Sequence, residues 1–173
     1  MAGVYPGFAK ILHDPQFGAA VSAALYWYLR SNRAGDGAGV DSGLILSQAA
    51  LERLALAVLT ANGLPVPRYA AEKLRAACRY LKIPTALPRD LKQLRKAKRA
   101  GDLAGGPDAA VKIRNELVHP NRRMKSATGP LISQGWQLAQ WYIEVFLLKL
   151  CGYSGIYSNR LSPRWVGEVE KLP

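Results

Sequence analysis

From Ile132 to Leu150 the chain is apolar almost all the way round a helix. Trp136, Ala139, Ile143, Phe146 and Leu150 make one face at helical spacing, and Leu138, Trp141, Val145 and Leu148 make another. A surface helix needs a single apolar stripe, so a helix with two must be covered on both sides. Two arrangements do that: the helix lies at the centre of its own bundle, or it shares one face with a second subunit. Under either arrangement other helices must wall it in.

The rest of the sequence supplies them. Phe17, Val21, Leu25, Tyr28 and Leu29 form a stripe on a helix predicted over about Pro15–Arg33, which the glycine-rich Ala34–Gly39 segment ends. Asp41 suits the N-cap of a second helix through about Ala61, closed by Asn62-Gly63 and by Pro65 and Pro67. A third is predicted over roughly Arg68–Leu81, and a short basic fourth over about Arg89–Arg99. A fifth opens near Pro107-Asp108 and stops before His119, because Pro120 disfavours helical geometry at the residue ahead of it. Beyond Gly152 the chain is rich in Tyr, Ser, Arg and Pro and reads as an extended segment wrapping the bundle. No run alternates in the way a sheet requires, and no repeat is visible. The expected fold is all-α: one domain over 1–173, with five to six helices within about 15–150 and a C-terminal wrapping segment over 151–173.

With 173 residues, 49% of them hydrophobic, the chain can bury a proper core and is too apolar for wholesale disorder. Cys78 and Cys151 lack a C-x-x-C partner and read as buried free thiols rather than a disulfide or zinc site. The N-terminus lacks the charged-then-apolar pattern of a secretory signal. The apolar stretch Trp141–Cys151 is too short to span a bilayer and is interrupted by Glu144 and Lys149. A cytoplasmic protein with no membrane partner is expected.

Lys and Arg number 24 against 12 Asp and Glu, a net charge of +12. Such an excess suits a polyanionic partner, since each neutralised phosphate releases counterions, but it suits a plain basic surface as well. Arg89, Lys92, Arg95, Lys96, Lys98 and Arg99 crowd the short fourth helix, as a phosphate track or as a solvated face. Arg122, Arg123 and Lys125 follow the fifth helix directly and would extend positive potential around its end.

That end carries the chemistry. In Ile113–Pro120, Arg114 stands five residues ahead of His119, and Asn115 shares a helix face with His119. A histidine moves protons near neutral pH, and an arginine holds a phosphate through two parallel hydrogen bonds. His119 would take the proton of a ribose 2′-hydroxyl or deliver one to the departing 5′-oxygen, Arg114 would stabilise charge on the phosphate, and Asn115 would orient the imidazole or hold the phosphate. One imidazole does not serve as base and acid in the same step, so a two-fold dimer supplying a second is expected, with the last helix as a candidate contributor to its interface. Simple capping accounts for the same residues: Arg and His near a helix C-terminus suit its dipole and its unpaired carbonyls.

Other positions carry less. Glu52 lies on a stripe with Leu44, Gln48, Ala55 and Leu59 and calls for a cation, from Arg114 or a neighbouring helix, unless it is exposed beside Arg53. Tyr26, Trp27 and Tyr28 cannot all face one way, so one of them is exposed. His13, at a loop-to-helix junction, reads as structural.

Arg114-Asn115-x-x-x-His119 resembles the Arg-polar-x-x-x-His signature of the HEPN superfamily (higher eukaryotes and prokaryotes nucleotide-binding domains). The likeness extends from about Phe17 to Glu170: the early helix run Leu44 to Glu52, the late motif, the long apolar helix, and the closing Cys151–Arg160 segment, which is similar to a bacterial ApeA-like branch. The resemblance implies a helical bundle, often dimeric, that in many members is a metal-independent endoribonuclease acting as a toxin or anti-phage effector. It would make Arg114 and His119 catalytic and Asn115 supporting, with RNA as substrate, no cofactor, and an antitoxin or larger defence complex as further partner. Members paired with a nucleotidyltransferase antitoxin carry a tyrosine two positions past the histidine; Asn121 stands there, so regulation by adenylylation is not expected. In the ApeA-like branch the domain follows a larger N-terminal region, so this chain reads as a freestanding version or an excised piece.

Overall fold

The computed structural model describes residues 3–33, 39–119, 129–162, 165 and 167–173. They form an all-α bundle of α1 (Tyr5–Leu12), α2 (Gly18–Ser31), α3 (Gly39–Ala61), α4 (Ala70–Tyr80), α5 (Lys92–Arg99), α6 (Gly106–Val118) and α7 (Gly129–Leu150). Two short strands follow, β1 (Ile156–Tyr157) and β2 (Glu170–Lys171).

The two apolar faces of α7 are both used inside this bundle. Ala139, Ile143 and Phe146 from one stripe and Leu138, Trp141 and Val145 from the other are buried, and α7 packs against α2, α3, α5 and α6. A central position is what an all-round apolar helix requires. Trp136, Leu148 and Leu150 of the same stripes are half-buried, so α7 is covered for the most part within its own bundle.

Close approaches fix the register. A Cβ on Gly43 would stand 2.9 Å from Trp136 Nε1, and Gln140 Nε2 donates to Ser47 Oγ at 2.5 Å, so α3 and α7 run in step and parallel. Ile113 lies against Gly135, and the Tyr142 hydroxyl lies against Gly106, so α6 runs antiparallel to α7. In α3, Leu44, Leu51, Leu54 and Val58 are sealed in the core. By length and composition α3 could cross a membrane, with a mean hydropathy of 1.5, but half of that window is buried among the other helices. It packs on α2, α4, α6 and α7 as a core helix.

Several boundaries differ from the sequence expectation, each for a local reason. Pro6 and Gly7 look like helix breakers, yet α1 forms through them. Proline fits a first turn, and Gly7 packs so closely on the Cys151 carbonyl that no side chain would fit. His13 stands at the C-cap of α1, its backbone N–H reaching the Ile11 carbonyl. The Asp14 carboxylate accepts the N–H groups of Gln16 at 2.8 Å and Phe17 at 3.1 Å, holding a turn that delays α2 to Gly18. Arg89 precedes α5 instead of starting it.

The tail does wrap the bundle, but not as a wholly irregular segment. β1 and β2 pair antiparallel, with Ile156 opposite Lys171 and Tyr157 opposite Glu170. Strands of two residues are too short to show alternation, which is why no sheet was expected.

Candidate functional site

The α6 helix is seated before its last turn begins. Gly106 N–H donates to the Thr85 carbonyl at 2.9 Å, where a side chain would collide with the Tyr142 hydroxyl. The Asp108 carboxylate accepts the Ala104 N–H at 2.8 Å and pairs with Lys112 at 3.3 Å, putting negative charge at the helix N-terminus. Ala109, Ala110 and Ile113 are fully buried. The final turn is thus held on a rigid support, as a preorganised site requires.

On that turn Arg114 is half-buried, while Asn115 and His119 are exposed. His119 leaves helical geometry, at φ −131° and ψ 76°, as the following proline predicted, while its N–H still reaches the Asn115 carbonyl at 2.7 Å. Arg114 Nη1 donates to Asn115 Oδ1 at 3.1 Å, so the two side chains act as one unit. Arg114 Nε is buried and has no hydrogen-bond partner, one of two such side-chain nitrogens among the described residues. Among those residues neither the Arg114 guanidinium nor the His119 imidazole bonds a last-turn carbonyl, and Arg114 pairs with no carboxylate. Capping, the simpler account of these side chains, finds no bond to support it.

Glu52 does not join this group. Its carboxylate pairs with Lys73 of α4 at 3.2 Å and accepts from Gln48 Nε2 at 3.3 Å. Of the two cation sources expected, the neighbouring helix supplies it. The register explains why Arg114 does not: Gly43 lies at the level of Trp136, beside Gly135 and Ile113. Glu52 is nine residues further along α3, about 13 Å at a helical rise of 1.5 Å per residue.

The basic helix α5 packs on α7. Leu91 and Leu94 are buried and anchor α5, leaving Lys92, Lys96, Lys98 and Arg99 exposed and Arg95 half-buried. Leu91 at the N-cap offers no side-chain acceptor. Gln134 of α7 does so instead, its Oε1 accepting the N–H groups of Gln93 at 2.8 Å and Leu94 at 3.3 Å. The next residue, Gly135, touches Ile113, and Arg114 follows Ile113. Arg122, Arg123 and Lys125 lie outside the described residues.

A second polar constellation lies on the opposite side of α7, and sequence reading did not assemble it. Gln140, fully buried, donates to Ser31 and Ser47 and accepts from Asn32 Nδ2 at 2.7 Å. One turn on, Glu144 accepts from the Tyr28 hydroxyl at 2.6 Å and from Arg160 Nε at 2.7 Å. Burial first, and then the Glu144 carboxylate, push the Tyr28 phenol up to about 12. A cavity of about 270 Å³ beside them is lined by Tyr28, Glu144, Leu147, Leu148, Tyr157 and Ser158. The available signal was Glu144 itself, a charge within an apolar helix that needs a partner. Of the aromatic triplet, Tyr26 is the exposed member.

The chain is 28% identical to the SPbeta prophage-derived uncharacterized protein YopA of Bacillus subtilis (strain 168), over 98% of this chain and 39% of that protein. It therefore spans about two fifths of the length of the curated relative it matches. No solved structure matches the chain. The model of the YopA C-terminal domain matches residues 14–171, and the chain belongs to that family.

Proposed function

We propose that the α6 end is the active site of a metal-independent endoribonuclease in a HEPN-like bundle, with Arg114 and His119 catalytic and Asn115 supporting. The observation that carries this reading is the state of the final turn. A half-buried guanidinium is tied to Asn115, and an imidazole stands exposed one turn on; neither is spent on structure. Such groups, unpaired on a rigid support, are free to act on a ligand.

The reaction is a transesterification. His119 accepts the proton of a ribose 2′-hydroxyl, the 2′-oxygen attacks phosphorus, and the bond to the 5′-oxygen breaks. The departing oxygen takes a proton from a second imidazole, His119 of another copy across a two-fold axis, leaving a 2′,3′-cyclic phosphate and a 5′-hydroxyl. Arg114 stabilises the charge that grows on the non-bridging oxygens, with Asn115 fixing its plane. An acid, a base and a preorganised cation suffice for this chemistry. The setting is cytoplasmic, as a toxin or an effector against phage, and the prophage origin of the relative is compatible with it. The alternative is a bundle of the same fold that binds RNA or assembles without cutting, within a larger defence complex. The greater length of that relative favours considering it.

Incubation with RNA in excess chelator tests the reading. Cutting should persist, yield cyclic-phosphate ends, and fall about 10²–10⁴-fold in His119→Ala, the range lost with a general acid–base group. No cutting under any condition would leave the binding module.

A further inference from the structure

We propose that α5 is a track for the backbone of a single-stranded polynucleotide, read without regard to base and leading to the end of α6. This rests on the ribonuclease reading only for what happens at the end of the track. Its own support is independent. Within eight residues α5 carries Lys92, Arg95, Lys96, Lys98 and Arg99, and among the described residues none of them is paired with a carboxylate. A solvated structural face usually balances its charges with i,i+4 acids, and α5 contains none. Cations left unpaired at this density suit a polyanion, whose counterions they displace.

The geometry gives the track a direction. α5 is pinned by the Gln134 side chain, which caps its first turn, and Gln134 precedes the glycine that touches Ile113. The chain of contacts from α5 to Arg114 thus passes through two consecutive residues of α7. A strand held along α5, about 12 Å long at 1.5 Å per residue, would have one end at Gln134, one residue along α7 from the glycine that Ile113 touches. A flexible single strand can leave such a track and bend into a helix end, whereas a duplex is a stiff rod.

The side chains also define what is read. α5 has no aromatic residue on which a base could stack, and its exposed side chains are Lys, Arg and Gln. Base–aromatic stacking and edge-directed hydrogen bonds carry base preference, and charge alone carries none. The track therefore makes no distinction between RNA and DNA, and discrimination falls to the 2′-hydroxyl that the chemistry at His119 needs.

Binding of short oligouridine and oligothymidine strands to the His119→Ala protein, by fluorescence anisotropy across a salt series, tests this apart from cleavage. Both strands should bind within about two-fold of each other, as backbone contacts demand. The log–log salt slope should be near −3, from four exposed cations at about −0.7 each. Lys92→Gln with Lys96→Gln, both exposed and harmless to folding, should flatten the slope by about 1.4. A duplex that binds more tightly than either strand, an unchanged slope in the double variant, or absence of binding at low salt would overturn the track. If the track holds and oligouridine is never cut, the failure belongs to the ribonuclease reading alone.

Discussion

At Gln140 the side-chain amide is answered on both its nitrogen and its oxygen from within the fold, by Ser31, Ser47 and Asn32, while on the α6 side of the same helix α7 the Arg114 Nε is buried and unanswered. The two regions share a scaffold and differ in how most of their polar groups are treated. The exception is Trp136 Nε1, the other buried nitrogen without a partner among the described residues, which lies on the Gln140 side against Gly43. Around Gln140 and Glu144, hydrogen bonds and one ion pair tie α2, α3, α7 and the tail together. At Arg114, one hydrogen bond to Asn115 accompanies an exposed imidazole, and among the described residues no carboxylate pairs with the guanidinium. Buried polar groups that are satisfied specify a structure, and exposed groups on a rigid support, such as the Asn115 and His119 side chains, are open to a ligand. Substitutions should therefore separate stability from activity according to side.

The largest effect on stability is expected at Arg160. It closes the Glu144–Tyr28 cluster and lies about 6 Å over the Tyr28 and Trp136 rings, at 6.0 Å from each centroid. Arg160→Ala leaves the Glu144 carboxylate partly buried without its cation. Loss of one partner of a fully buried pair costs 3–5 kcal/mol; with 26% and 20% of these side chains exposed, about 2 kcal/mol is expected. A chain of this length should then melt about 4–8 °C lower, and any RNA cleavage should survive below that temperature. Unchanged melting with activity lost would reverse the assignment of the two sides.

Alkaline pH probes the same contrast through protons. Burial pushes the Cys78 thiol up to about 12 from 9.0, and the Tyr28 phenol is held near 12 from 10.0; Tyr142 and Tyr157 are raised too, chiefly by burial. Above pH 9 the folded state therefore holds protons that the unfolded chain has released, so stability is full below that pH and falls as pH rises toward 12. Cys78→Ala should remove most of the loss between pH 9.0 and 10.0, leaving the tyrosine-driven fall above it, as followed by denaturant midpoints at each pH. An alkaline profile identical to that of the parent protein would mean that Cys78 is not sealed as its surroundings imply.

The same division explains what could be read from the sequence. The helices around the core were readable because apolar spacing reports burial: the two stripes of α7 required a covered helix, and Val21 of the α2 stripe is buried, whereas Leu29 at its end is 62% exposed. Pro120 gave the end of α6 because its effect on the preceding residue is local. Helix α1 was hidden because Gly7 acts through a tertiary contact at Cys151, which no local pattern announces. For the candidate site, Arg114, Asn115 and His119 were visible as a spacing, and α5 as a charge run. What the sequence could not supply was the contact through Gln134 and Gly135 that joins them, or Lys73 as the partner that takes Glu52 elsewhere. Both are pairings between helices 20 or more residues apart in the chain, set by register and not by composition.

The smallest stability effects, and the most telling, belong to the α6 end. Arg114→Met keeps the length and shape of the buried stem but removes a nitrogen that is desolvated without a partner, a burden of about 1–3 kcal/mol for such a donor. Part of that returns as solvent-facing charge is lost, so a net gain of up to about 1 kcal/mol is expected, with cleavage abolished. His119→Ala, at an exposed position with no side-chain bond among the described residues, should move stability by no more than about 0.5 kcal/mol while lowering cleavage about 10²–10⁴-fold. Thermal melts of the two variants decide between the sides: residues kept for structure lose stability when replaced, and residues kept for chemistry do not. A loss of several degrees in Arg114→Met would show that its guanidinium holds the bundle together, and the contrast with Gln140 would vanish.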